Sequence, residues 1–390
     1  MTPKKLLSTS LRTGDASDVI DSVEARTIRV PLEVDTSWST RTVKAREYGI
    51  VRVRTRDGAQ GIGFCYAGSS AGQMVSVAVR QLFSPLVVGA DAYRVEGLWE
   101  LMYRESLLQG RAGAAMRALS IIDIALWDRN ARAVGLPLSK LLGLHADGTV
   151  DAYGSGGYYM EGKGAAGLAA ELESYVKLGY RAVKMKVGRL DPNGEEERIR
   201  AAREAIGPDV RLMLDANNAW QDLPTALRYM ERYERYDPYW IEEPFSPDDI
   251  DNHARLAQRT RVTVATGEIE TARWRFKELL DKQGAGIIQA DAAVCGGITE
   301  WRRIAATAAS FGVTLCPHWF HDLHVHLVAA TPNARMVEVF VNDKVFNFRR
   351  LIDRQLELTP EGRLKVPTGA GLGFDFDEAI IDQYAIDDWA

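Results

Sequence analysis

Titratable residues recur through the second half of the chain at an interval that suits one strand plus one helix. Lys184 and Lys186 close one apolar run and Asp215 the next; Glu242, Glu268, Asp291 and His318 follow, and Glu338 lies within the last run. From Lys186 to His318 the separations are 29, 27, 26, 23 and 27 residues. Asp215, Glu242 and Glu268 offer three carboxylates that would repel one another and rise in pKa unless a cation lay between them. Oxygen donors with open positions suit a hard ion, so Mg²⁺ is the expected metal, whereas zinc would prefer nitrogen or sulfur. Lys184 and Lys186, two apart on a strand, share one face. Two neighbouring cations should depress each other's pKa, which would let one act as a neutral base. Asp291 beside His318 would fix the imidazole tautomer and raise its basicity. A lysine and a histidine facing each other across a metal address the two faces of one carbon.

Each residue alone has an ordinary reading. Asp215-Ala216-Asn217 could cap a helix, and Glu242-Glu243-Pro244 could be strand-end punctuation. Their joint placement on seven successive strands outweighs those readings. His318, His321 and His324, with His326 beyond, lack a second ligand pair, so they are expected as a loop and first helical turn with exposed imidazoles.

The elements that must position these groups are short apolar strands near 150–153, 182–187, 211–215, 239–242, 262–266, 286–291, 314–316 and 336–339. Helical segments lie between them; one carries Leu168, Leu172, Tyr175 and Val176, another Leu223, Leu227 and Met230. Eight strands with crossovers predict a closed parallel barrel, whose C-terminal strand ends converge on one mouth. An open doubly wound sheet would need a Gly-rich phosphate loop, and none is present. Upstream, alternating segments at 23–28, 48–53 and 62–64, with a turn at Arg56-Asp57-Gly58, predict an antiparallel meander, and 115–133 has helical period. The expected organisation is an α+β domain over 1–148, its first 18 or so residues a loose arm, a barrel over 149–355, and a segment over 356–390 that returns to the first domain.

Composition narrows the partners. With 46% hydrophobic and 26% charged residues, the chain can bury a large core. A net charge of −5 argues against nucleic acid and acidic membranes. Three scattered cysteines suggest a reducing compartment, and no apolar run suits a signal peptide or a membrane span. A cytoplasmic protein is expected.

Lys184-Met185-Lys186, Asp215-Ala216-Asn217, Trp240-Ile241-Glu242-Glu243-Pro244 and Thr266-Gly267-Glu268 together resemble the enolase superfamily. Asp291 with His318, and the upstream Ile121-Ile122-Asp123-Ile124-Ala125-Leu126-Trp127-Asp128, resemble its mandelate racemase branch. The resemblance runs from about Val23 onward. It implies an α/β fold, a modified TIM (β/α)7β barrel with an α+β capping domain. It also implies Mg²⁺ on Asp215, Glu242 and Glu268, Lys186 as one acid/base catalyst, and the His318–Asp291 dyad as the other. Lys184 would contact the substrate carboxylate, Asn217 the substrate, and Glu338, protonated, the enolate oxygen. The reaction expected is α-proton abstraction from a carboxylate, followed by loss of water from an acid sugar. Racemisation or epimerisation of a 2-hydroxy acid is the alternative; a Schiff-base aldolase and a non-catalytic scaffold are the readings of other classes. A small acid sugar is the expected partner, with no nucleic acid or membrane, in a homo-oligomer. Tyr158, Tyr159, His321, Glu270, and Arg41 or Lys44 are polar pocket candidates, with Trp38 and Trp319 as an aromatic wall. Loops within 30–44 and 64–73 are expected to close over the mouth.

Overall fold

A computed structural model of the chain describes residues 16–389. Three antiparallel strands come first: β1 (Ile20–Ser37), β2 (Thr42–Thr55) and β3 (Gln60–Gly68). The expected meander is present, but β1 and β2 run further than their alternation suggested and leave only residues 38–41 as a loop. The turn after β2 has Gly58 at φ 84°, and Asp57 accepts the Ala59 N–H at 3.0 Å. Helix α1 (Val95–Glu105) packs against α2 (Gly113–Ala133), which covers the sheet. Strand β3 lies directly on the backbone of α2. A Cβ on Gly61 would sit 2.0 Å from the Ala125 carbonyl, and one on Gly63 1.9 Å from that of Ile121, so neither position admits a side chain. The loose arm expected at the N-terminus lies outside the described residues except for Ala16–Asp18. These form a 3₁₀ turn, with Asp18 bound to buried Arg129 at 2.9 Å.

The strands of the barrel are β4 (Thr149–Ser155), β5 (Ala182–Lys186), β6 (Arg211–Asp215), β7 (Pro238–Glu242), β8 (Thr263–Thr266), β9 (Ile287–Ile288), β10 (Thr314–Leu315) and β11 (Met336–Phe340). They are parallel and neighbour one another in the order β10-β9-β8-β7-β6-β5-β4-β11. The seam between β10 and β11 is joined by the single parallel bridge Leu315↔Ala334. Tyr153, Ala182, Met213, Trp240, Ala265, Ile287, Cys316 and Met336 form one apolar cluster inside the ring, which fills the barrel below its mouth. Seven crossovers carry helices α3 (Ala165–Lys177), α4 (Pro192–Ile206), α5 (Leu223–Tyr233), α6 (Ile250–Ala257), α7 (Ala272–Asp281), α8 (Gly297–Ser310) and α9 (His321–Ala329). Asp191 and Asp222 start α4 and α5 by accepting N–H groups of the first turn. Leu168, Leu172 and Tyr175 are the buried stripe of α3.

After β11 the chain adds β12 (Arg363–Lys365) antiparallel to β4, so the last segment touches the barrel before it reaches the N-terminal sheet. There Asp128 of α2 accepts the N–H groups of Ile62 at 2.9 Å and Leu372 at 2.7 Å, tying β3 to the C-terminal segment. Ala385 bridges to Ile28, and Asp387 binds Arg80 at 2.9 Å. Asp123 of the same helix reaches the barrel instead. It accepts the Thr299 N–H at 2.9 Å and its hydroxyl at 2.5 Å, capping α8. These contacts are why two aspartates stand in an otherwise apolar helix segment. Among the described residues, no helix is long and apolar enough to cross a membrane.

Burial pushes the Asp123 carboxyl up to about 7, against its bonds from Thr299. The folded chain therefore holds this proton where the unfolded chain has lost it. The contribution is fullest below the ordinary carboxylate pKa of 3.8 and declines as pH rises towards about 7. Asp123→Asn should flatten that decline, by at most about 1.4 kcal/mol per pH unit. Thermal melts from acid to neutral pH test it; equal slopes in variant and parent refute it.

Candidate active site

The strand register assembles the centre. Lys186 pairs with Asp215 across β5–β6, and Asp215 with Glu242 across β6–β7. Glu268 follows β8 after Gly267, whose φ of 123° turns the chain over the mouth. Asp215, Glu242 and Glu268 each bring a carboxylate oxygen to within 4.8 Å of the others. The Asn217 N–H holds Asp215 Oδ1 at 2.9 Å, and the Trp240 indole N–H holds Glu242 Oε2 at 3.0 Å, while Glu268 Oε2 is buried without a hydrogen-bond partner. Burial and then Asp215 raise the Glu242 carboxyl well above the usual range, against Lys184. Asp215 is held down to about 2 because Lys186 and Lys184 outweigh its burial. Three converging carboxylates, one with an idle buried oxygen, fit a hard divalent cation.

Both lysines point into the barrel, as their spacing predicts, but they do not depress one another decisively. Lys184 Nζ lies 2.5 Å from Glu242 Oε1 and 2.6 Å from Glu338 Oε1, and Lys186 Nζ lies 2.5 Å from Asp215 Oδ2. Burial works to lower both lysines. Glu242 and Glu338 outweigh it at Lys184, and Asp215 does so at Lys186, so both are raised. Glu338 corrects the expectation of a protonated donor. Burial alone would raise it, but Lys184, His318 and Lys186 bring it below its ordinary value. It is a carboxylate that accepts the Trp319 N–H at 2.9 Å.

His318 follows β10, with Nδ1 3.1 Å from Asp291 Oδ2 and Nε2 3.6 Å from Glu268 Oε1. Glu268 and the Asp291 hydrogen bond outweigh burial and raise the imidazole to about 9. Asp291 is itself held by the Ala293 N–H at 2.8 Å. The other histidines of this stretch are buried, contrary to expectation. His324 accepts the Ala292 N–H at 3.0 Å on Nε2, so its Nδ1–H donates to the Trp319 carbonyl at 2.7 Å. His326 donates to the Leu372 carbonyl at 3.0 Å, and burial lowers it to about 4. These contacts place both in packing.

A cavity of about 290 Å³ opens above the carboxylates. Lys186, Asn217, Glu268, Asp291 and His318 line its floor. Lys184 and Glu338 are fully buried beneath. Asn217 Oδ1 is buried with no partner and is free to accept from a ligand. Of the pocket candidates, Tyr158, Arg41, Trp38 and Trp319 line the cavity. Tyr159 is bound to Glu195, His321 faces Asp322 at 3.5 Å, Glu270 pairs with Arg275 at 3.3 Å, and Lys44 is exposed beside Asp35. The loop at 38–41 does lie on the mouth, with the Ser39 hydroxyl donating to the Ala216 carbonyl at 2.6 Å. From the second loop only Tyr66 reaches the cavity. Sequence reasoning missed Arg46, Arg117, Asn218 and Glu243 in the lining; Asn218 and Glu243 adjoin recognised motifs and could have been found there.

The arrangement defines a barrel enzyme whose mouth combines a three-carboxylate cation site with a lysine on one side and a histidine–carboxylate pair on the other. Residues 19–143 match the family described as Mandelate racemase / muconate lactonizing enzyme, N-terminal domain, and residues 167–380 match Enolase C-terminal domain-like. The chain belongs to the mandelate racemase branch of the enolase superfamily. It is 36% identical over 334 residues to L-talarate/galactarate dehydratase of Salmonella typhimurium, covering 84% of this chain and 80% of that one. It resembles the structure of L-talarate dehydratase from Polaromonas sp. JS666 complexed with Mg and L-glucarate. That match has a TM-score of 0.85 and 31% identity, over 96% of this chain and 99% of that one. A racemase from Streptomyces coelicolor with bound magnesium matches at TM-score 0.88 and 30% identity, over 94% and 100%.

Proposed function

We propose that the protein dehydrates an acid sugar to a 2-keto acid. The observation that carries this reading is that Lys186 and His318 flank one carboxylate cluster from opposite ends, against Asp215 and Glu268 respectively. Asp215, Glu242 and Glu268 would hold Mg²⁺, which when bound stabilises negative charge on the substrate carboxylate and relieves Lys186 of the Asp215 charge. Lys186, as the amine, takes the α-proton from one face. His318, held in one tautomer by Asp291, gives its Nε2 proton to the departing β-hydroxyl on the other face. The hydroxyl leaves as water with the His318 proton, the α-proton stays on Lys186, and the enol that remains moves its hydroxyl proton to the adjacent carbon to become the keto acid. Lys184 puts fixed positive charge beneath the reacting carboxylate, and Glu338 holds Lys184 in place through their ion pair at 2.6 Å. Asn217 offers its free side-chain oxygen to a substrate hydroxyl.

Racemisation uses the same two groups, His318 returning the proton to carbon. The aromatic wall of Trp38, Tyr158, Trp319, Phe340 and Phe346 favours it as the second reading, because such a wall would also accept an apolar hydroxy acid. A panel of acid sugars and 2-hydroxy acids, assayed with and without Mg²⁺ for keto acid and for epimer, decides. Keto acid formed only with Mg²⁺ is the expected result. Epimer alone would transfer the assignment to the racemase reading, and a product trapped by borohydride in chelator would indicate Schiff-base chemistry at Lys186.

A further inference from the structure

We infer that His324 is a positioning residue, which fixes the His318–Asp291 pair by holding the two backbone segments from which that pair rises. This rests on the dehydration reading and adds to it a residue behind the cavity wall. His324 lies in the first turn of α9 and is fully buried. Its Nδ1 is 2.7 Å from the carbonyl of Trp319, the residue after His318. Its Nε2 is 3.0 Å from the N–H of Ala292, the residue after Asp291. A carbonyl can only accept, so the ring proton is on Nδ1; the Ala292 N–H needs a lone pair, so Nε2 is bare. Burial lowers the pKa of the ring and keeps it neutral. One packed imidazole thus spans the segments that follow β9 and β10, each contact coming directly after a member of the pair.

Both segments need holding. Trp319 and Phe320 have left-handed backbone, at φ 49° and 33°, which L side chains rarely adopt. Such a turn persists only where its surroundings fix it, and its relaxation would move His318. The backbone of Trp319 is gripped from both sides, Glu338 accepting its N–H at 2.9 Å and His324 donating to its carbonyl. At the other segment the matter is charge. His324 Nε2 lies 3.6 Å from Asp291 Oδ1. A proton there would let His324 compete with His318 for Asp291. The bare nitrogen leaves the carboxylate to His318, whose Nδ1 is 3.1 Å from Oδ2. His324 therefore sets both the place of His318 and the partner that Asp291 serves. Lys186, paired with Asp215 across β5–β6, stands on other strands, so the proton-removing side should be indifferent to it.

The test uses two substitutions that each keep one contact. In His324→Asn the amide reaches the place of Nδ1 and can still donate to Trp319; in His324→Gln it reaches the place of Nε2 and can still accept from Ala292. The substrate is the acid sugar that the panel turns over fastest, at saturation with Mg²⁺. Each variant should form keto acid about 10–100-fold more slowly. The total rate of α-proton removal, counted as exchange with deuterated solvent plus keto acid, should stay within about twofold of the parent. A residue with only a structural role would lower the melting temperature and scale both rates together. Parent-rate keto acid in both variants, or a proportional fall in both rates, overturns the inference. If one variant loses its near-ultraviolet circular dichroism, the other decides. If both do, or the parent turns over no acid sugar, magnetic resonance of ¹⁵N-labelled histidine in the parent decides. A ring proton confined to Nδ1 of His324 sustains the inference, and one on Nε2 overturns it. A parent that forms epimer and no keto acid refutes the dehydration reading alone, and epimer then replaces keto acid in the same comparison.

Discussion

His318→Asn should still exchange the substrate α-proton with deuterated solvent while forming no keto acid, and Lys186→Ala should lose both. In the proposed reaction Lys186 acts before the hydroxyl leaves and His318 acts on its departure, so the two deletions fail at different steps. Each should lower keto-acid formation by about 10²–10⁴-fold, the usual worth of a placed acid or base. Asn at 318 cannot protonate a leaving hydroxyl, yet it leaves Lys186 and its Asp215 contact at 2.5 Å untouched. Asp291→Asn should be milder. The amide oxygen can still accept the Ala293 N–H, while its NH₂ faces His318 Nδ1 and drives the imidazole towards the opposite tautomer. Nuclear magnetic resonance of substrate incubated in deuterium oxide reads exchange, and a keto-acid assay reads elimination. Exchange lost in His318→Asn but kept in Lys186→Ala would swap the two roles. Product formed at the parent rate by either variant would refute a two-sided site.

What the sequence disclosed follows from periodicity. Strand-end residues spaced by one strand–helix unit must meet at a barrel mouth, and the register of Lys186, Asp215 and Glu242 bears this out. The ionisation of Glu338 was not legible, because it depends on a 2.6 Å contact with Lys184 from a strand distant in sequence. The burial of His324 and His326 was hidden for the same reason. Their partners are Ala292, Trp319 and Leu372, and the run His321-Asp322-Leu323-His324 shows a polar pattern with no hint of what covers it.

Arg46 shows the limit most directly. Lys44, a pocket candidate, and Arg46, which was not one, have the same parity on β2, so alternation places both on one face. Yet Lys44 is exposed, whereas Arg46 is covered by Phe346 and Trp319, both from the far end of the barrel sequence. Strand alternation predicts a face, but not what that face meets. The glycines of β3 illustrate the converse, since Gly61 and Gly63 look like breaks in a strand but mark the backbone contact with α2.

Glu242→Gln should abolish Mg²⁺-dependent activity and the thermal stabilisation by Mg²⁺, while the protein stays folded. Glu242 is the middle carboxylate, in register with Asp215 and repelled by both Asp215 and Glu268. The amide keeps the side chain's volume and can still accept from the Trp240 indole. It removes one of three anionic ligands, and Mg²⁺ depends on formal negative charge because it parts reluctantly with water. Lys184 loses its 2.5 Å partner but keeps Glu338 at 2.6 Å, so its charge is not stranded and the fold should survive. In the parent, Mg²⁺ at 100 times its dissociation constant should add about 2.7 kcal/mol of stability, which melting curves resolve. In the variant the same concentration should shift the melting temperature little. Keto-acid formation should fall to the level of chelated parent protein. The two readouts separate ligand loss from unfolding, since a misfolded variant would lose its cooperative melt altogether. A parent-sized Mg²⁺ shift in Glu242→Gln, or full parent activity after exhaustive chelation, would dissolve the three-carboxylate site.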